Sequence, residues 1–161
     1  MEFRARWHIV KFVAESVIQA SAERVFAFHE LPDALTRLTP SWINARVISN
    51  PASLQPGSRA VIDIGVAPLL RLRTEAVHIV YEPPFLFEDR QLRGPFRSWI
   101  HHHIITPEGT GTRLTDAIEF EPPFGILGRR LAPWLILPRL RKLFAYRHEV
   151  TRAWCEAEVL T

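Results

Sequence analysis

Three consecutive histidines, His101, His102 and His103, stand in a segment that otherwise reads as a strand, where only His101 and His103 can share a face. The same alternation groups Phe87, Asp89 and Gln91 on one face of the strand before it. It also groups Leu114, Asp116, Ile118 and Phe120 on one face of the strand after it. If the turn from Pro107 to Thr112 closes symmetrically, His103 lies opposite Asp116 and Trp99 opposite Phe120. Imidazole and carboxylate so placed can move protons, with His101, His103 and Asp116 as the candidate acid and base, or can fix the polar head of a ligand. A metal would need both histidines plus Asp89 or Asp116, and since such groups pair more often by hydrogen bonds, neither metal nor cofactor is expected. No nucleophile elbow, Gly-rich phosphate loop or paired glutamate is present, and Ser98 and Cys155 have no adjacent base and read as structural residues.

The elements that must position these groups are legible from periodicity. Residues 9–20 alternate as a half-buried strand, with Val10, Phe12, Ala14, Ser16 and Ile18 on the more apolar side. Ser21 is an N-cap for a short helix, Ala22 to Glu30, which buries Val25, Phe26, Phe28 and His29, and Pro32 opens a second short helix that ends at Pro40. Strand-type runs follow at 45–49, 58–66, 70–82, 85–93, 98–106 and 112–121, separated by Pro- and Gly-containing breakers. Connections this short imply sequential antiparallel neighbours in one curved sheet of about seven strands. From about Leu127 to Glu158 the pattern is helical but interrupted at Pro133 and Pro138, so the long helix begins near Pro138. Its inward stripe reads Leu140, Leu143, Phe144, Arg147, Val150, Thr151 and Trp154.

The chain has 161 residues, which predicts a single domain, 1–161. Apolar residues form 47% and charged residues 23%, the balance of a globular protein rather than of a disordered chain. One cysteine excludes an internal disulfide, no apolar run is long enough to span a bilayer, and Glu2, Arg4, Arg6 and Lys11 occupy the place of a signal peptide's apolar run. These features predict a cytoplasmic protein. Twenty basic residues against 17 acidic ones give a net charge of +3, yet no nucleic-acid-binding module is present, so no nucleic-acid partner is expected. Oligomeric state is not legible.

The order strand, two short helices, six strands, long C-terminal helix resembles the α+β helix-grip fold of the START-related polyketide cyclase/dehydrase superfamily known as SRPBCC, over nearly the whole chain. Several segments resemble a bacterial ligand-binding branch of it. They are Ala22-Glu23-Arg24-Val25-Phe26-Ala27-Phe28-His29, Pro32-Asp33-Ala34-Leu35, Phe87-Glu88-Asp89-Arg90-Gln91, Gly94-Pro95-Phe96, Trp99-Ile100-His101-His102-His103, Gly111-Thr112-Arg113-Leu114-Thr115-Asp116 and Phe144-Ala145-Tyr146-Arg147. The resemblance implies a hydrophobic cavity between sheet and helix but no particular reaction. The expected function is therefore non-catalytic binding of a lipid- or polyketide-like molecule, with a cyclase or dehydratase as the alternative.

Phe28, Asp89, Gln91, Trp99, His101, His103, Asp116, Ile118, Phe144 and Arg147 are the expected ligand-contacting residues. Three alternatives stand beside this. The side bearing His101 and His103 could face solvent with Ile100 and Ile104 inward, and the polar groups could be a purely structural network. Residues 129–142, where Trp134 and apolar residues are flanked by cations, could touch a membrane surface transiently or could close the cavity as a lid. Trp42, Trp99, Trp134, Phe96 and Phe124 are expected to fill core. Arg147, interrupting an apolar stripe, is expected to pair with Asp89 or Asp116.

Overall fold

The computed structural model describes residues 9–157, apart from the side chain of Val66; Glu2, Arg4, Arg6 and Glu158 lie outside the described residues. Strand β1 (Val10–Ile18) leads into helices α1 (Ala22–His29) and α2 (Ala34–Arg37). Strands β2 (Ala45–Ser49), β3 (Arg59–Ala67), β4 (Leu70–Glu82), β5 (Leu86–Arg93), β6 (Ser98–Glu108) and β7 (Gly111–Glu121) follow, then helices α3 (Gly125–Leu135) and α4 (Leu137–Glu156). The seven strands form one sheet in the order β1-β7-β6-β5-β4-β3-β2. Every described pairing is antiparallel, so β2 to β7 form a meander and β1 crosses to pair with β7. Register shifts in the β2–β3, β3–β4 and β4–β5 pairings bend the sheet. This is the helix-grip architecture.

Local chemistry sets the elements much as their residues require. Lys11, Val13, Glu15 and Val17 of β1 are exposed while Phe12 and Ile18 are buried. Ser21 caps α1, its hydroxyl accepting the Arg24 amide at 3.3 Å. The Arg24 guanidinium then donates to the Cys155 and Trp154 carbonyls at 2.7 and 3.2 Å, satisfying acceptors at the last turn of α4 and clamping α1 to it.

Two expectations need correction. Pro107, read as a breaker, lies within β6 and opposes Thr112, and the strands continue to a Glu108–Gly111 pair with Gly109 at φ 59 in the turn. β6 has there run past its last β5 partner, so a residue that cannot donate is tolerated. The segment before α4, expected as a helical stretch interrupted at Pro133 and Pro138, is an eleven-residue helix of its own with Pro133 inside it, and the break falls at Ile136. Pro133 stands two residues from the C-terminal end, so the turn it disrupts is the last of α3, and Pro138 sits in the first turn of α4, where an N–H has no intrahelical acceptor to lose.

The interior between sheet and helix is divided. One apolar cluster gathers Ile18, Val25, Phe26, Phe28, Phe87, Ile105, Leu114 and Cys155; a second gathers Phe12, Ile118, Phe120, Ala132, Leu140 and Phe144. Phe96 and Trp99 pack against the second cluster as expected, but Trp42, Phe124 and Trp134 are exposed. Trp42 instead carries the Lys142 ammonium 4.3 Å from its ring centroid. Among the described residues no helix is long and apolar enough to cross a membrane.

Candidate functional site: a buried histidine and carboxylate belt

Between the two apolar clusters runs a line of polar groups. Along β7 the order is Leu114, Asp116, Ile118; along β6 it is Ile105, His103, His101, Trp99; along α4 it is Cys155, Thr151, His148, Phe144. The pairings His103↔Asp116 and Trp99↔Phe120 are as expected, and Asp89 on β5 opposes His101. His101, His103 and Asp116 are buried. Ile104 is exposed, and His102 meets Glu88 on the outer face at 2.7 Å, so the solvent-face alternative for His101 and His103 fails.

Asp116 is the hub. His101 Nε2 donates to its Oδ1 at 2.8 Å and His148 Nε2 donates to its Oδ2 at 2.7 Å. His103 Nδ1 also lies 2.8 Å from Oδ1 but without hydrogen-bond alignment, so that buried nitrogen interacts through charge alone. On its other side His103 Nε2 donates to Asp89 Oδ2 at 3.3 Å. The His103 ring stacks on Phe87, with centroids 4.0 Å apart and planes 11° apart. His101 meets Phe144 edge-on at 5.3 Å.

The electrostatics follow from burial and these partners. Burial works against a charged His103, but the carboxylates of Asp116 and Asp89 outweigh it and raise the pKa to about 9. Burial likewise opposes ionisation of Asp116, yet the His103 charge and donated hydrogen bonds from the imidazoles hold it well below the usual carboxylate range. Asp89 is lowered in the same way, against its burial, by His103 and His101. His101 is lowered by burial and by the charge of His103. An imidazolium and a neutral imidazole thus lie side by side, ring centroids 3.8 Å apart.

Other expected contacts fall around this belt. Phe28 belongs to the first apolar cluster, edge-on to His29, while Ile118 and Phe144 belong to the second and Trp99 packs against it. Gln91 spends its amide on the Phe96 carbonyl at 2.7 Å. Arg147 does not pair with Asp89 or Asp116: its Nε donates to the Leu38 carbonyl at 3.1 Å and its guanidinium lies 5.1 Å from the Phe144 ring centroid. Histidines already occupy the near positions around both acids, and Arg147 sits on the flank of the helix stripe.

Three histidines went unassigned to the site. His148 falls one turn after Phe144, a spacing that signals the inward stripe. His29 donates Nδ1 to the Val25 carbonyl at 2.9 Å, leaving Nε2 as an acceptor, and its ring lies 5.8 Å from that of His103. Burial, then the His103 charge, lower its pKa to about 4. His78 opposes Asp89 across the β4–β5 ladder, and its buried Nδ1 has no hydrogen-bond partner. Asp89, His101 and His103 bring one donor atom each within 4.8 Å of one another, so these are the residues that could hold a cation. The belt can move protons, or it can bind a polar group inside an apolar interior.

The crystal structure of the di-domain aromatase/cyclase StfQ of the steffimycin biosynthetic pathway superposes with a TM-score of 0.70 at 11% identity, covering 95% of this chain and 53% of that one. Norcoclaurine synthase of Thalictrum flavum gives 0.69 at 12% identity, covering 93% and 96%. A Chromobacterium violaceum protein gives 0.68 at 15% identity, covering 91% and 96%. At these identities the likeness is one of fold. No curated protein matches in sequence. The family model described as polyketide cyclase / dehydrase and lipid transport matches residues 18–147, and this span contains strands β2 to β7 and the acid hub, so the chain belongs to that family.

Proposed function

We propose that the chain binds a hydrophobic small molecule, lipid- or polyketide-like, between the sheet and α4, without transforming it. One observation carries this reading: five of the seven histidines and two aspartates are drawn into an otherwise apolar interior. Buried ionic networks stabilise a fold no better than well-packed apolar residues of similar volume, so their presence calls for a task beyond stability. In this reading Asp89, His101, His103 and Asp116 receive the polar group of the ligand. Phe28, Trp99, Ile118 and Phe144 receive its apolar body, with Gln91 and Arg147 at the margins. The sequence's lone Cys155 agrees with a reducing, cytoplasmic setting.

A second reading, a cyclase or dehydratase, is favoured by a different observation: His103 is raised to about 9 while His29 beside it is lowered to about 4. Neighbouring groups with pKa values pushed apart are the arrangement of an acid and a base. His103 would donate a proton, and neutral His101 or His29 would accept one.

Titration with a fluorescent fatty-acid analogue tests the first reading. One analogue should bind per chain, and Ile118→Trp, which places a bulkier side chain beside the belt, should abolish uptake in a folded protein. No uptake by wild type would end the binding reading. Turnover of a synthetic poly-β-ketone, lost about a hundredfold or more in His103→Phe while analogue binding persists, would replace it with the enzymatic one.

A further inference from the structure

Helix α3 turns its apolar face away from the protein. Phe124, at its N-cap, and Ile126, Leu127, Leu131, Trp134 and Leu135 are between 43% and 80% exposed, with Trp134 and Phe124 the most exposed of them. Positions 124, 127, 131, 134 and 135 fall on one helical face. Ala132 is the one buried residue of the helix, so α3 rests on the second apolar cluster by a narrow edge. An exposed apolar patch this continuous marks an interaction site, since soluble monomers rarely carry one.

The backbone holds the face outward. Phe124 and Gly125 both adopt left-handed conformations, at φ 66 and 57, reversing the chain at the end of β7. That conformation is an outlier for an aromatic residue, and such outliers cluster where structure serves a task. Gly128 reinforces the turn, because a Cβ there would overlap the Pro123 carbonyl oxygen.

Charge selects the partner. Between Glu121 and Glu149 the sequence contains no acidic residue and six basic ones, Arg129, Arg130, Arg139, Arg141, Lys142 and Arg147. Arg130, Arg139, Arg141 and Lys142 are exposed on α3 and the first turns of α4 and supply a cationic rim. Arg139 folds back onto the Leu135 carbonyl, which keeps its charge against the end of α3. We infer that α3 and the first turns of α4 form a docking surface for an anionic lipid bilayer, with Phe124, Leu131 and Trp134 entering the headgroup region and the arginines contacting lipid phosphates. A second copy of the chain is disfavoured as the occupant, because a two-fold contact would set this all-cationic rim against itself. A convex helix face also offers no groove for the side chains of a peptide. The surface stands independently of what the interior binds; joined to the binding reading above, it makes the bilayer the source or destination of the apolar ligand, since α3 rests on the cluster holding Ile118 and Phe144.

Flotation with vesicles of phosphatidylcholine alone, and of phosphatidylcholine mixed with phosphatidylglycerol, tests this on the full chain. Wild type should bind the anionic vesicles and bind phosphatidylcholine vesicles at least tenfold more weakly. Leu131→Ser with Trp134→Ser should remove the binding. Arg130→Gln and Arg141→Gln should each weaken it roughly fivefold, and raised salt should weaken it further. Thermal melts check that each variant is folded, and Trp134→Ser alone serves if the double variant is not. Absence of binding by folded wild type, or equal binding by the variants, would overturn the proposal. So would a dimer in analytical ultracentrifugation that Leu131→Ser with Trp134→Ser dissolves while vesicles leave wild type unbound. Fatty-acid analogue uptake measured without vesicles reports on the interior separately, so failure of one leaves the other readable.

Discussion

The Asp116 carboxylate of β7 joins the sheet to the long helix: its Oδ2 accepts His148 Nε2 of α4 at 2.7 Å while its Oδ1 accepts His101 Nε2 of β6 at 2.8 Å. Its burial is possible only because both oxygens are satisfied and charge is balanced nearby by His103. The residue is therefore as much a structural joint as a site group.

Removing the joint should be expensive. Asp116→Ala leaves His101 and His148 without their acceptor and His103 without a counter-charge, and should lower stability to urea by about 3–5 kcal/mol. Asp116→Asn, which keeps the shape and part of the acceptor capacity, should lose less. His148→Ala, which strands one carboxylate oxygen, should cost about 1–3 kcal/mol. Equal stability of wild type and Asp116→Ala would show that the belt carries no structural weight.

Stability should fall on the alkaline side. His103 has an ordinary value of 6.5 and is raised to about 9 in the fold, so its contribution is complete below pH 6.5 and drains as pH rises through 9. The ceiling on that loss is about 3 kcal/mol, at 1.36 kcal/mol per unit. Asp116 and Asp89, both lowered, contribute above the ordinary carboxylate range, and that contribution is lost as pH falls through their lowered values. His29, lowered to about 4, adds to the acid loss as pH falls below 6.5, because the unfolded chain takes up its proton first. Urea midpoints from pH 6.5 to 9 should decline for wild type and stay level for His103→Phe; a level wild-type profile would contradict the raised value.

Arg147 should behave as a hydrogen-bonded flank residue. Arg147→Ala is expected to cost about 1–3 kcal/mol through the Leu38 carbonyl and lost packing on Phe144. A double-mutant cycle with Asp116→Asn should show a coupling well below the 3–5 kcal/mol of a broken buried pair. Recovery of most of the loss in the double variant would reinstate the ion pair.

Cys155 should be inert in the folded protein. It is buried, and that burial pushes its thiol up to about 12, so little thiolate is present near neutrality. Ellman's reagent at pH 8 should label it only as fast as the chain unfolds, with the rate rising in urea. Immediate stoichiometric labelling of native protein would show an open path to the sulfur.

The parts of the site legible in the sequence are those fixed by neighbouring strands. Side chains alternate strictly along a strand, and symmetric closure of the turn from Pro107 to Thr112 sets the register, so the placing of His103 against Asp116 and of Trp99 against Phe120 needed only local pattern. Ile118 and Phe120 beside them decided which face goes inside, because outward they would form a large apolar patch.

The sequence by itself thus determined the strand order of the meander, the inward face that carries Asp89, His101, His103 and Asp116, and the helix-grip frame around them. Tertiary structure alone decided which helix residue meets that face. Arg147 and His148 are 100° apart on α4, and both are flanked by apolar positions, so the apolar pattern permits either to lead. The choice rests on how the whole helix rolls against the sheet, which turned Leu140, Phe144, His148, Thr151 and Cys155 inward and left Arg147 to the Leu38 carbonyl. The same holds for α3. Its apolar residues would pack inward or outward equally well by composition, and it was the left-handed turn at Phe124 and Gly125, with the interior already filled by Phe12, Phe120 and Phe144, that set them facing out.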